Sequence, residues 1–273
     1  MTPLIIIPAR YNSSRFPGKM LHKMNGQPLI FWTALQASLT GYDVVVATDD
    51  ERIAEAVQSL PCDIVMTSPD CRNGTERVAE AWECLGDEYG DEWLEQYDCV
   101  INWQGDNPLM PRHYVDWMLE EFEDAMFDRF DRDFDVITPY IVFSHEDAKV
   151  LIEKRKRDIV GGTTLVTDTH NNALYFSKEV IPHMKDIDNV YSTPVKYHVG
   201  AYLYKPSSLL SYSLIEESPL EKEEGLEQLR FIENGMVINC LQVPHTGVLY
   251  NEVNNPEDVA PVEEALKTGD YDI

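Results

Sequence analysis

The stretch Leu4-Ile5-Ile6-Ile7-Pro8-Ala9-Arg10-Tyr11-Asn12-Ser13-Ser14-Arg15-Phe16-Pro17-Gly18-Lys19 decides how the chain is read. Its four consecutive apolar residues predict a strand buried on both faces. Strands of a parallel sheet have this pattern because helices cover both sides. Pro8 is expected to end the strand. The loop after it carries the cations Arg10, Arg15 and Lys19 and the hydroxyls of Ser13 and Ser14. Loops at the C-terminal ends of parallel strands are where open α/β sheets bind ligands. Arginine offers phosphate a forked contact, lysine a point charge, and a bent backbone its amides. A polyphosphate site and a solvated basic loop are the two readings. From Met1 to Tyr42 there is no Asp or Glu to neutralise these cations, which favours the polyphosphate.

Working outward, Val44-Val45-Val46-Ala47 predicts a second buried strand, ending at Thr48-Asp49-Asp50. A helix from Glu51 to Leu60 follows, with Asp49 or Asp50 as its N-cap. Asp63 to Met66 predicts a third strand and Thr75 to Leu85 a helix. Cys99 to Asn102 predicts a fourth strand, running into Gln104-Gly105-Asp106. Strands alternating with helices mark an α/β fold with a mostly parallel central sheet. Asp106, just past a strand end, suits a hard cation such as magnesium. Taken alone it serves equally well as a helix N-cap; beside the basic loop, metal binding is favoured.

The pattern loosens after Asp106. His113 to Asp135 is an acidic helical stretch, read as a solvated face. Strands are expected at Val136 to Phe143, Thr163 to Thr167, Ala173 to Phe176 and His198 to Tyr204. They suggest a mixed or antiparallel subdomain, at about residues 130–215, inside one domain spanning 1–273. A helix from Leu226 to Asn234 stops at Gly235. A strand from Val237 to Val243 and a helix from Pro256 to Lys267 complete the pattern.

Composition narrows the function classes. With 273 residues, 44% of them hydrophobic, the chain can bury a large core. A net charge of −26 opposes binding to nucleic acid and to anionic membranes. No apolar run approaches the roughly 18 residues of a membrane span. No basic residue precedes Leu4, unlike a signal peptide, so a cytoplasmic protein is expected. The five cysteines form no CxxC pair and are expected to stay reduced. The basic loop is neither a Walker A loop nor GxGxxG, which argues against P-loop kinases and Rossmann dehydrogenases.

Several motifs in order resemble one family. They are Ile7-Pro8-Ala9-Arg10 with Ser14-Arg15-Phe16-Pro17-Gly18-Lys19, Ala47-Thr48-Asp49, Met66-Thr67-Ser68 with Gly74-Thr75-Glu76-Arg77, and Gln104-Gly105-Asp106 with Pro108. Tyr175-Phe176-Ser177, His198-Val199-Gly200 with Tyr202, Ser218-Pro219-Leu220-Glu221 and Leu226-Glu227-Gln228-Leu229-Arg230 continue the series. Together they resemble the CMP-3-deoxy-D-manno-octulosonate (CMP-KDO) synthetases over nearly the whole chain. The resemblance implies a Rossmann-like nucleotide-diphospho-sugar transferase fold and transfer of CMP from CTP to an acidic 3-deoxy-2-keto sugar. Pyrophosphate would be released with Mg2+ as cofactor. It also implies a homodimer formed through the middle subdomain.

By that resemblance Pro8, Ala9, Arg10, Ser14, Arg15, Lys19, Thr67, Ser68 and Gln104 would bind the nucleotide. Arg15, Lys19 and Asp106 would serve catalysis. Gln104, Arg77, His198, Tyr202, Glu227 and Gln228 would line the acceptor pocket. His198 and Tyr202 alternate along the expected strand and so share a face; core residues with satisfied polar tips are the other reading. Asp106 and Asn254 would hold the metal.

The departures bear on the acceptor and the metal. Asn107 stands where the family has Glu. Asn254 stands where it has a second metal-binding Asp, and Glu252 offers a nearby carboxylate instead. The family's Lys near Gly161-Gly162-Thr163-Thr164 is missing. Lys154-Arg155-Lys156-Arg157 could replace it, although a solvated basic turn is favoured. Two rivals therefore stand beside the CMP-KDO reading: the same chemistry on a modified acceptor such as 8-amino-KDO, and a nucleotide- or sugar-binding protein weakened in catalysis.

Overall fold

The computed structural model describes the chain except residues 14, 128–133, 158, 160, 185–193, 245–251 and 269–273. β1 (Pro3–Ala9) is buried at every position. After the short β2 (Lys23–Met24) and β3 (Gln27–Pro28) come α1 (Leu29–Ser38), β4 (Asp43–Thr48), α2 (Glu51–Val57), β5 (Asp63–Met66), α3 (Gly74–Tyr89), α4 (Asp91–Leu94) and β6 (Cys99–Trp103). β1 lies between β4 and β6, parallel to both, with Ile5 opposite Val44 on one side and Ile101 on the other. Its side chains divide between two cores. Ile5, Ile7 and Ala9 pack with Leu29, Ile30 and Ala34 of α1, while Leu4 and Ile6 pack with Val78, Ala79 and Trp82 of α3. Burying each of these leucine, isoleucine and valine side chains contributes roughly 1.5–3 kcal/mol.

β1 runs through Pro8, which was expected to end it. Pairing with β6 stops at Ile6, while pairing with β4 continues to Ala9. One flank of the strand is thus free of a ladder at Pro8, where a residue without an N–H is tolerated. Asp50, one of the two expected caps, accepts from the Arg52 amide at the start of α2.

The rest of the chain extends the same sheet. α5 (His113–Phe127) precedes β7 (Val136–Val142), α6 (His145–Arg155), β8 (Thr164–Thr167), β9 (Ala173–Ser177), β10 (Lys196–His198) and β11 (Ala201–Tyr204). α7 (Pro206–Ser213), α8 (Pro219–Glu224), α9 (Gln228–Glu233), β12 (Ile238–Gln242) and α10 (Val259–Thr268) follow. The strand order is β5-β4-β1-β6-β11-β7-β10-β8-β9, with β12 also paired to β7. β5, β4, β1 and β6 are mutually parallel; beyond β6 the pairing is antiparallel except for β12 on β7. The expected solvated face of residues 113–135 is corrected. α5 turns Tyr114, Val115, Met118, Leu119 and Phe122 into the core, so its acids are only the outer side of an amphipathic helix. The remainder of that stretch, 128–133, lies outside the described residues. The expected single strand from His198 to Tyr204 is also corrected. It breaks at Val199-Gly200, where the Ala201 amide folds back onto the Val199 carbonyl at 2.6 Å. Both halves pair β7, but β10 has β8 as its outer neighbour and β11 has β6.

Gly105 lets the ends of β1 and β6 close on each other. A Cβ there would lie 2.8 Å from the Pro8 carbonyl oxygen and 3.3 Å from the Met20 methyl. The Gly105 carbonyl is held by the Thr33 hydroxyl at 2.8 Å, so the loop cannot simply retreat. Gly105→Ala is expected to lower stability by about 1–3 kcal/mol, read as a lower urea midpoint with an unchanged m-value.

Candidate active site

The strand ends open into a cavity of about 430 Å³. Its basic end is built by the loop after β1. Lys19, in a 3-10 turn and only 7% exposed, donates from Nζ to Asp106 Oδ2 at 2.6 Å. Arg15 donates from Nη2 to Asn254 Oδ1 at 2.9 Å. Pro8, Arg10 and Ser13 also line the wall. Ala9 is buried within β1 and does not reach the wall, and Ser14 lies outside the described residues. Distant segments thus supply the partners missing from the first 42 residues, an acid for Lys19 and an amide oxygen for Arg15. Asp106 is not a helix cap, since α5 begins only at His113.

A backbone bond from the Val253 amide to the Asp106 carbonyl, 2.9 Å long, brings a C-terminal turn against this loop. The Asn254 amide donates back to the Glu252 carbonyl at 3.0 Å, a tight turn about the buried Val253. Glu252 and Asn254 therefore point together, and Asn254 Nδ2 donates to Glu252 Oε2 at 3.1 Å. Burial, and then the neighbouring charge of Asp106, push Glu252 up to about 7.

The other end is polar and largely enclosed. Glu227 accepts from the Thr75 amide at the start of α3 (2.9 Å) and from Gln104 Nε2 (3.2 Å). Burial holds Glu227 above the usual carboxylate range, against the opposing hydrogen bonds from Thr75 and the Gly74 amide. The Tyr202 hydroxyl donates to Gln228 Oε1 at 3.3 Å, and the Tyr202 ring lies 5.3 Å from that of His198. The break at Val199-Gly200 has therefore not separated these two side chains.

The tautomer of His198 follows from its neighbour. Thr138 gives its one hydroxyl proton to the Ala201 carbonyl at 2.7 Å, so at 2.8 Å it can only accept from His198 Nε2–H. Nδ1 is left as an acceptor on a residue that lines the cavity. Burial lowers His198 to about 3, which keeps the ring neutral.

Arg77 is 2% exposed and committed to the protein, donating to Thr67 Oγ1 at 2.5 Å and to Asp49 Oδ2 at 3.3 Å. It reaches the cavity wall, whereas Thr67 and Ser68 lie behind it, with the Ser68 amide held by Glu80. Lys154 to Arg157 is not simply a solvated turn. Arg155 donates to the carbonyls of Lys178, Ile159, Gly161 and Gly162 and so shapes the Gly161-Gly162 edge of the cavity. The added cation at this edge is Lys178, lowered by burial and then by Arg15. The sequence reading missed Lys178, although it directly follows Tyr175-Phe176-Ser177. It also missed Arg72 and Glu217 on the wall, for which the sequence carries no signal.

The model of the cytidylyltransferase family matches residues 4–238. The chain belongs to the cytidylyltransferase family. Within it, 3-deoxy-manno-octulosonate cytidylyltransferase of Maricaulis maris is 38% identical over 266 residues, 96% of each chain. The mitochondrial enzyme of that name from Arabidopsis thaliana is 35% identical, covering 96% of this chain and 82% of its own. An 8-amino-3,8-dideoxy-manno-octulosonate cytidylyltransferase of Shewanella frigidimarina is 36% identical, covering 96% and 98%. A solved CMP:2-keto-3-deoxy-manno-octonic acid synthetase complexed with CTP superimposes with a TM-score of 0.77 at 32% identity, covering 98% of this cytidylyltransferase and 100% of that chain. The expected fold and family are thereby borne out. Among the described residues no helix of this cytidylyltransferase is long and apolar enough to cross a membrane.

The neutral His198 makes stability depend on pH. Its folded value, about 3, lies below the ordinary 6.5. Between the two, the unfolded chain takes up a proton that the folded chain refuses. This stability is therefore complete above about pH 6.5 and falls as pH drops toward 3. At pH 5.0 the loss is about 2 kcal/mol. In H198Q the amide can still donate to Thr138. Urea melts should show the wild type's advantage over H198Q shrinking by about 2 kcal/mol between pH 7.5 and 5.0. A constant difference would contradict a buried neutral ring.

Proposed function

We propose that this cytidylyltransferase transfers CMP from CTP to the anomeric hydroxyl of KDO, or of a closely related acidic 3-deoxy-2-keto sugar, and releases pyrophosphate. The observation that carries this is one cavity with two unlike ends. Arg10, Arg15 and Lys19 suit a triphosphate, while His198, Tyr202, Glu227 and Gln228 offer acceptors and donors for a polyhydroxylated sugar. The sugar oxygen forms a bond to the α-phosphorus as the α–β bridging bond breaks; the electron pair leaves with pyrophosphate and the hydroxyl proton passes to water. Such a reaction needs positioning and charge neutralisation more than covalent catalysis. Arg15 and Lys19 stabilise the charge that builds on the leaving pyrophosphate. His198 Nδ1 accepts from a sugar hydroxyl, and Gln104, held by Glu227, fixes the wall beside α3.

Nucleotidyl transfer from CTP is served by a divalent cation, and we assign Mg2+. The donor set fits a hard cation: the Asp106 carboxylate accepts only the Lys19 ammonium among the described residues, and the Glu252–Asn254 turn stands beside it. Bound there, the ion would neutralise phosphate charge and lower the pKa of a coordinated hydroxyl. A homodimer belongs to the same reading: β9 ends the sheet, and its Leu174 is 58% exposed. So does a cytoplasmic location, which suits five cysteines that are all unpaired.

The test is pyrophosphate release from CTP with Mg2+ and a panel of keto-sugar acids including KDO and 8-amino-KDO. Release with KDO is expected, and Asp106→Asn and Lys19→Ala should each lower kcat by on the order of 100-fold or more. Release with 8-amino-KDO alone would keep the chemistry and change the acceptor. Measurable CTP binding without release on any acceptor would sink the transferase reading in favour of a binding protein.

A further inference from the structure

We propose that Glu252, and not Asn254, supplies the second protein ligand of the divalent cation held by Asp106. This rests on the metal-dependent reading above and goes beyond it, because the position expected to ligate carries an amide. That amide is already engaged at both ends. Asn254 Oδ1 accepts from the Arg15 guanidinium at 2.9 Å, and Nδ2 donates to Glu252 Oε2 at 3.1 Å. An oxygen facing a guanidinium is a poor partner for a second cation, and an amide oxygen brings no charge of its own.

Glu252 has the opposite balance. Its carboxylate accepts one neutral amide N–H and forms no ion pair among the described residues; the nearby cations are committed, Lys19 to Asp106 and Arg15 to Asn254. A half-buried carboxylate with so little compensation is costly unless a cation meets it. Oε1 lies 2.5 Å from where a Cβ on Gly200 would stand, so it sits in a space that only glycine leaves open. The Val253–Asp106 backbone bond fixes this carboxylate beside the Asp106 loop, and both residues line the cavity. Asn254 serves Arg15 instead, holding its guanidinium at the basic end of the cavity.

Mn2+ titrated into the protein without CTP or sugar, with the free ion followed by EPR, reads the site apart from turnover. The wild type should bind Mn2+ at a site that Asp106→Asn abolishes. Glu252→Gln, of the same shape, should weaken it by at least about tenfold. Asn254→Ala should change it by less than about threefold. The double variant Glu252→Gln/Asn254→Asp should regain most of the affinity, because it returns a carboxylate to the neighbouring position. CTP affinity in EDTA, unchanged in Glu252→Gln, shows that the site is still folded. An Asp106-dependent site that Glu252→Gln leaves intact, or that Asn254→Ala weakens as much, overturns the assignment of Glu252 alone. Mn2+ binding that ignores Asp106→Asn overturns the metal reading beneath it as well.

Discussion

The 2.6 Å ion pair between Lys19 and Asp106 is the interaction on which the site depends. Its partners lie 87 residues apart and meet because β1 and β6 are adjacent parallel strands whose C-terminal ends face the same way. Lys19 is nearly buried, so removing either partner would strand a charge in a poorly solvated place. On the proposed reading a triphosphate would offer Lys19 a new counter-ion and a divalent cation would offer Asp106 one, repairing both charges as the ligands arrive. The close approach at Gly105 and the Val253–Asp106 bond keep this exchange within a fixed frame.

The other end of the cavity rests on a second charge network. Arg230, fully buried, grips Glu221 with two bonds of 2.6 Å and Glu76 with one of 2.8 Å. Glu221 also closes the capping box of α8, and Glu76 belongs to the first turn of α3. One guanidinium thus ties α3, α8 and α9 together. Glu227 and Gln228 stand at the start of α9, so the ion network fixes side chains that line the cavity. Its geometry is bidentate, which a lysine would not reproduce.

The legible part of this structure was its parallel half. Leu4 to Ile7, Val44 to Ala47 and Cys99 to Ile101 are unbroken apolar runs, the pattern that buried parallel strands leave. The basic loop could be read because no acid lay within 42 residues of the N-terminus. What could not be read is how distant segments meet. Nothing in the local sequence says that Arg155 spends its guanidinium on backbone carbonyls, or that Lys178 turns toward the cavity. The capping box at Ser144 and Asp147 marked α6, but the spacing was not recognised. The break at Val199-Gly200 was hidden because the residues on both sides suit strands, and only the change of outer neighbour from β8 to β6 reveals it.

On the proposed reading the cavity moves an intact CMP group by attack at the α-phosphorus. The direct measurement is the fate of phosphate labels when the protein is incubated with KDO and Mg2+. With CTP labelled at the α-phosphorus, the account predicts that the label appears in the nucleotide-sugar product. With CTP labelled at the γ-phosphorus, the label should appear only in pyrophosphate. Label from the γ-position in the sugar, or as inorganic phosphate, would contradict attack at the α-phosphorus and the placing of the leaving group against Arg15 and Lys19.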